Sequence, residues 1–186
     1  PVLFEISRKF PELTVEISFN DRRVDLIEEG IDLAIRMGEL DDSLSLAARR
    51  IYAQRSAICA APAYLREHGS PRSVDDLDRH SVIGYGREGI VRPWVIRHGD
   101  GHLTTFVPKA RLVLGHGEPM LDAALAGCGI AFLPTWLAAD SLRQGDLEMV
   151  LSDCLVENIV VHAVWPVTRT LTPKIRVVVD ALVEHF

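Results

Sequence analysis

The sequence predicts an α/β protein in two lobes, with mostly parallel sheets covered by helices. Three observations lead there. Helical and strand-like stretches alternate from the first residues onward. Ile31 to Arg36 is a nearly continuous apolar run, the pattern of a strand covered on both faces. Residues 45–61 make one extended stretch longer than an ordinary strand, as a chain passing from one lobe to another would.

Each element has a local reason. Leu3, Ile6 and Phe10 fall at helical spacing and stop before Pro11. Leu13, Val15, Ile17 and Phe19 alternate strictly and read as a strand. Asp21 can cap a helix through Glu29, with Gly30 positioned for left-handed geometry. Ala61 to His68 reads as a helix closed by Gly69, and Ser73 to Leu77 as one capped turn. Val82 to Tyr85 is a short strand. Trp94–His98 and His102–Val107 flank Gly99-Asp100-Gly101, a hairpin signal. Arg111–Leu114 is a strand leading into an Ala- and Leu-rich helix, Glu118–Gly127. Gly129–Leu133 is a buried strand, followed by a helix from Thr135 to Arg143 that ends near Gly145. The last strand and helix are Ile159–Trp165 and Thr172–Phe186, with Thr172 as N-cap and Pro173 at the first helical position.

Composition narrows the class. The 186 residues are 48% apolar and 25% charged, too apolar for a disordered chain. No apolar run approaches the roughly 18 residues of a membrane span. The start, Pro1-Val2-Leu3-Phe4-Glu5, has no basic leader pattern and no Met, and so reads as a fragment without a signal peptide. Cys59, Cys128 and Cys154 are odd in number and far apart, which fits a reducing cytoplasmic setting better than a disulfide framework. A net charge of −6 argues against a broad nucleic-acid-binding face on this piece.

The motifs are weighed against plainer readings. Gly84-Tyr-Gly86-Arg-Glu-Gly89 is a literal dinucleotide fingerprint, but Pro93 follows and no helical stripe begins, so it reads as a loop. His98 and His102 would share a helix face as metal ligands, yet Gly99 and Gly101 disfavour that helix, leaving two exposed hairpin histidines. Cys128 reads as a buried, inert thiol in a helix-to-strand turn. Arg49, Arg50 and Arg55 read as solvated charge. No nucleophile elbow, metal motif or phosphate loop is present, so neither catalysis nor a cofactor is expected. His116, in Gly115-His-Gly117 before a helix start, suits an anion and equally a polar turn. Asn20 and Asp21 follow one strand, Arg36 and Gly38 another. Strand ends at Phe19, Arg36 and Leu114 thus point one way, at the edge where open α/β sheets bind ligands.

Asn20-Asp-Arg-Arg-Val-Asp-Leu-Ile-Glu-Glu-Gly-Ile-Asp-Leu-Ala-Ile-Arg36, with Met37 to Leu44 and Ala48-Arg49-Arg50-Ile51, resembles the effector-binding domain of LysR-type transcriptional regulators. Ala61-Pro-Ala-Tyr-Leu65 through His80 is similar to another passage of that family. So are Ala123-Ala-Leu-Ala-Gly-Cys-Gly-Ile-Ala-Phe-Leu-Pro134 and Gly145-Asp-Leu147. The resemblance runs along the whole chain in order.

It implies a two-lobed fold like the type 2 periplasmic binding proteins, the lobes joined by two crossing strands. Residues 1–51 and 157–186 would form the first regulatory lobe, and 52–156 the second. The family's N-terminal winged helix-turn-helix is absent from this chain. A small effector, an organic anion or another metabolite, would bind between the lobes at Asn20, Asp21, Arg36, Gly38, His116, Gly117 and Pro134. No metal or cofactor is implied. The partners implied are DNA, through the missing domain, and further copies of the chain, as a homodimer of this domain and a tetramer at full length, without a membrane. A free solute-binding protein shares the fold and is the alternative.

Overall fold

The computed structural model describes residues 2–19, 24–156, 158–167 and 172–186. Along the chain run α1 (Val2–Lys9), β1 (Ala34–Met37), β2 (Leu46–Gln54), β3 (Ser56–Ala60), α2 (Pro62–His68) and a 3-10 helix at Val74–Arg79. Next come β4 (Val82–Arg87), β5 (Ile90–Val91), β6 (Trp94–Arg97), β7 (Leu103–Phe106), β8 (Leu112–Leu114) and α3 (Gly117–Leu125). The chain continues with β9 (Ile130–Pro134), α4 (Thr135–Gln144), β10 (Glu148–Met149), β11 (Leu155–Val156), β12 (Ile159–Pro166) and α5 (Pro173–His185). The elements fall into two compact units, Pro1–Ala53 with Ile159–Phe186, and Gln54–Asn158.

The first unit has a three-stranded sheet in the order β1-β12-β2. Period-2 alternation along β12 sends Val161, Ala163 and Trp165 to one face, where they pack with Ile51 against Ile175 and Val179 of α5. Full burial of such a side chain is worth about 1.5–3 kcal/mol, so this stripe is what seats the helix. Tyr52 also stacks on Phe186 at 4.5 Å between ring centroids.

In the second unit the main sheet runs β10-β3-β9-β4-β5, and β8 also pairs with β4. Met120 and Ala124 of α3 and Ala138 of α4 cover Cys59, Ile83, Ala131 and Leu133 on one face. The other face buries Ile58, Ala60, Val82 and Ile130 with Tyr64, Leu77, Trp94 and Ile96. A third sheet, β11-β6-β7, carries Trp94 and Ile96.

Four expectations are corrected. The sheets are mixed: β1–β12, β3–β9 and β3–β10 are antiparallel, and β4–β8 and β4–β9 are parallel. Alternating helices and strands favour parallel pairing only when successive strands lie adjacent, and β9 separates β3 from β4. Residues 13–19 form no strand; Ile17 and Phe19 are exposed, and a strand needs a ladder partner that this segment lacks among the described residues. Residues 26–30 form a turn rather than a helix. The capping carboxylate is that of Asp25, which accepts from the Ile27 and Glu28 amides at 2.8 and 3.1 Å. Cys128 is exposed. It sits between Gly127 and Gly129, both at positive φ, in a turn that lifts its side chain off the core.

The glycine fingerprint is a β-hairpin. Gly86 faces Val91 across β4 and β5, and Glu88 and Gly89 make the turn at φ 53° and 81°.

Candidate functional site

In the first unit, β1 brings Arg36 opposite His162 of β12. Arg36 is half-buried, and its Nη2 donates to the Val24 carbonyl at 3.0 Å. Gly38, just past the strand, sits at φ 88° and donates its N–H to the Val160 carbonyl at 2.9 Å. A methyl group there would meet nothing, so the backbone conformation rather than space asks for glycine. Asn20 and Asp21 lie outside the described residues.

In the second unit, β8 and β9 both run parallel to β4, so their C-terminal ends reach one edge of the sheet. Each feeds a helix there. β8 leads through Gly115 to His116, the extended N-cap residue of α3 at φ −135° and ψ 152°. β9 ends in Pro134, the N-cap residue of α4. The two helix starts are close neighbours, because a Cβ on Gly117 would come within 2.9 Å of Leu137 Cδ2 in the first turn of α4. The unit therefore gathers His116, Gly117 and Pro134 around two helix N-termini, whose first N–H groups lack helical acceptors. Thr135, next to Pro134, donates its N–H to the Arg55 carbonyl at 2.9 Å and ties α4 to the start of β3. His116 itself is exposed.

The remaining candidates separate. His98 is half-buried rather than exposed, because its Nε2 lies 2.8 Å from Thr104 Oγ1 across the hairpin. Arg49 pairs with Asp180 at 2.5 Å. Burial pushes the Cys59 thiol up to about 12, and burial followed by the nearby Asp153 carboxylate raises that of Cys154. Both thiols are thereby poor nucleophiles at neutral pH. Sequence reasoning passed over His162, whose Nδ1 is shut off from solvent without a partner among the described residues. Its only signal was its place on the last strand, two residues from Val160, and that needed the pairing with β1 to become informative. Among the described residues no group of three or more His, Cys, Asp and Glu could hold a metal ion. No helix among them is long and apolar enough to cross a membrane.

Two α/β units joined where β2 enters β3 and where β12 returns make this a periplasmic-binding-protein-like regulatory-domain fold. The regulatory domain of CrgA, a LysR-type transcriptional regulator from Neisseria meningitidis, superposes with a TM-score of 0.84 at 28% identity, covering 100% of this chain and 90% of that one. The whole sequence, residues 1–186, matches the LysR substrate binding domain, and the chain belongs to that family. An uncharacterized HTH-type transcriptional regulator of Haemophilus influenzae is 33% identical over 175 residues, 94% of this chain and 60% of its own length. The HTH-type transcriptional regulator CrgA of Neisseria meningitidis serogroup C is 29% identical over 186 residues, 100% of this chain and 61% of its own. The chain thus spans about three fifths of the length of these curated relatives.

Proposed function

We propose that this chain is the effector-sensing part of a cytoplasmic DNA-binding transcriptional regulator and performs no catalysis. The observation that carries the reading is the match to the LysR substrate binding domain over all 186 residues, among relatives that are HTH-type regulators. Those relatives disfavour the alternative of a free solute-binding protein.

The effector is a small metabolite, an organic anion above all, held by Asn20, Asp21, Arg36, Gly38, His116, Gly117 and Pro134. The N-termini of α3 and α4, with Arg36 or a protonated His116, compensate its charge. Asp21 opposes that charge, so Asn20 and His116 matter more. Binding acts on transcription through unequal affinity for two arrangements of the regulator. DNA contact belongs to a helix-turn-helix segment outside this chain, and copies of this domain pair as a homodimer, within a tetramer at full length.

A thermal-shift screen of metabolites supplies the effector, and calorimetry tests the site. His116→Ala should weaken binding by about 1 kcal/mol or more, the value of a lost hydrogen bond to a charged group, and leave the fold intact. Unchanged affinity in His116→Ala and Asn20→Ala alike would move the effector elsewhere.

A further inference from the structure

We propose that the tip of the β6–β7 hairpin is a two-histidine site for a borderline divalent transition cation, Cu2+ foremost, held by His98 and His102. Gly99 and Gly101 deny the two residues a shared helix face, and the hairpin unites them by another route. The ladder pairs Trp94 with Phe106, Ile96 with Thr104 and Arg97 with Leu103. One step further His98 faces His102, its N–H donating to the His102 carbonyl at 2.8 Å, and Gly101 at φ 86° closes the turn. Alternation then puts both imidazoles and Thr104 on one face of the hairpin. That face buries Trp94 and Ile96 further back, and at the tip it emerges, with His98 half-buried and His102 exposed.

The two rings are arranged as ligands. Their centroids lie 6.0 Å apart, and the exposed His102 ring can turn to share an ion bonded at about 2.1 Å to one nitrogen of each. His98 Nε2 lies 2.8 Å from Thr104 Oγ1. With Nε2–H donating to that hydroxyl, Nδ1 turns its lone pair to the cation, the arrangement by which a hydrogen bond at one ring nitrogen fixes the other as a metal ligand. No hydrogen bond among the described residues engages His98 Nδ1 or the ring nitrogens of His102. Asp100 adds a carboxylate in the turn, its Oδ1 accepting from the His102 N–H at 2.9 Å. Arg97, on the opposite face of β6, is the nearby charge that opposes a cation. The donor set selects the metal. Imidazole suits Cu, Ni and Zn, whereas Ca2+ and Mg2+ require oxygen ligands. Two protein ligands fall short of the four that a structural zinc takes, so water completes the shell and Cu2+, the strongest binder of the series, is favoured. None of the residues assigned to the effector takes part.

The test titrates Cu2+ alone into the 186-residue chain, made without a polyhistidine tag, and follows it by calorimetry, electron paramagnetic resonance and amide NMR. One equivalent should bind with the spectral couplings of two ring nitrogens and first broaden the amides of residues 97–104. His98→Asn and His102→Asn should each weaken binding about a hundredfold, since joined ligands gain at least that over a single one. Thr104→Val, which keeps both ligands and removes the partner of His98, should weaken it about tenfold. His185→Asn should leave it unchanged. The broadening in the unsubstituted chain locates the ion whether or not every variant folds. Three results overturn the proposal: broadening centred away from residues 97–104, a spectrum with a single nitrogen, or affinity untouched by both His98→Asn and His102→Asn. Weak binding spread over several of the 7 histidines does so as well, as an adventitious ion only. Each of these outcomes leaves the effector reading standing, because His116 is tested with a different ligand.

Discussion

Gly86 is the residue at which side-chain volume is most tightly forbidden. A Cβ there would lie 2.1 Å from the Ile90 carbonyl oxygen and 2.9 Å from Val91 Cα, both backbone atoms of the facing strand. No rotamer relieves such a clash, so the hairpin would have to open. Gly89, three residues on, has open space and needs glycine only for its φ of 81°. Gly86→Ala should therefore cost about 3 kcal/mol in urea denaturation, and Gly89→Ala about 1 kcal/mol. Equal costs would show that strain at the turn, rather than strand packing, governs the hairpin. The same residues show what a sequence can and cannot disclose. Pro93 and the missing helical stripe sufficed to reject a dinucleotide loop. The contact across the hairpin that demands Gly86 is non-local, and no spacing rule contains it. Cys128 fails for a related reason: its apolar neighbours suggest burial, but the positive φ of Gly127 and Gly129 turns it outward.

The 3-10 helix and its surroundings form the element with the clearest acid response. Asp76 Oδ2 accepts from the backbone N–H groups of Arg72 and Ser73 at 3.0 and 2.9 Å. These bonds, led by that from Arg72, hold its carboxyl below the usual range. At the far end, the Tyr64 hydroxyl accepts from the Ser81 N–H at 2.8 Å and lies 3.2 Å from His80 Nδ1. Burial lowers the pKa of His80, the charge of His68 lowers it further, and Asp76 partly offsets both. The two groups act in separate windows. A lowered histidine leaves the unfolded chain to bind the proton first, so stability falls as pH drops below about 6.5 toward the folded value. Asp76 holds its stabilisation above the ordinary carboxylate value, and that is lost as pH falls below about 3.9. Urea midpoints against pH should lose the upper slope in His80→Gln and the acid slope in Asp76→Asn. Unchanged profiles in both variants would assign the acid response to other groups. Local capping of this kind is legible, since Ser73 and the acids after it announce the turn. Residues 13–19 are the opposite case. Their alternation is as regular as that of any strand in the chain, but whether a strand forms depends on a neighbour elsewhere in the sequence.

Across the whole molecule, the two units differ in how the chain builds them. The second is one continuous stretch, Gln54–Asn158, and the first is closed only when Ile159–Phe186 returns. β12 is the middle strand of its three-stranded sheet, and α5 supplies Ile175 and Val179 to its core. Without them β1 and β2 have no ladder partner between them, and the face of Ile51 stays wet. Isolated pairs of strands are marginal in water even when adjacent, and these two are not. Residues 54–158 expressed alone should therefore fold, with Trp94, 2% exposed and packed on Phe106 and Phe132, reporting a cooperative urea transition. Residues 2–53 alone should remain unfolded, showing no amide protection at Ala34–Met37, and a peptide of residues 159–186 added in trans should restore it. Protection of those amides without the peptide would mean that the opening segment carries its own folding information. A failure of residues 54–158 to fold would place part of that unit's stability in the segments on either side of it.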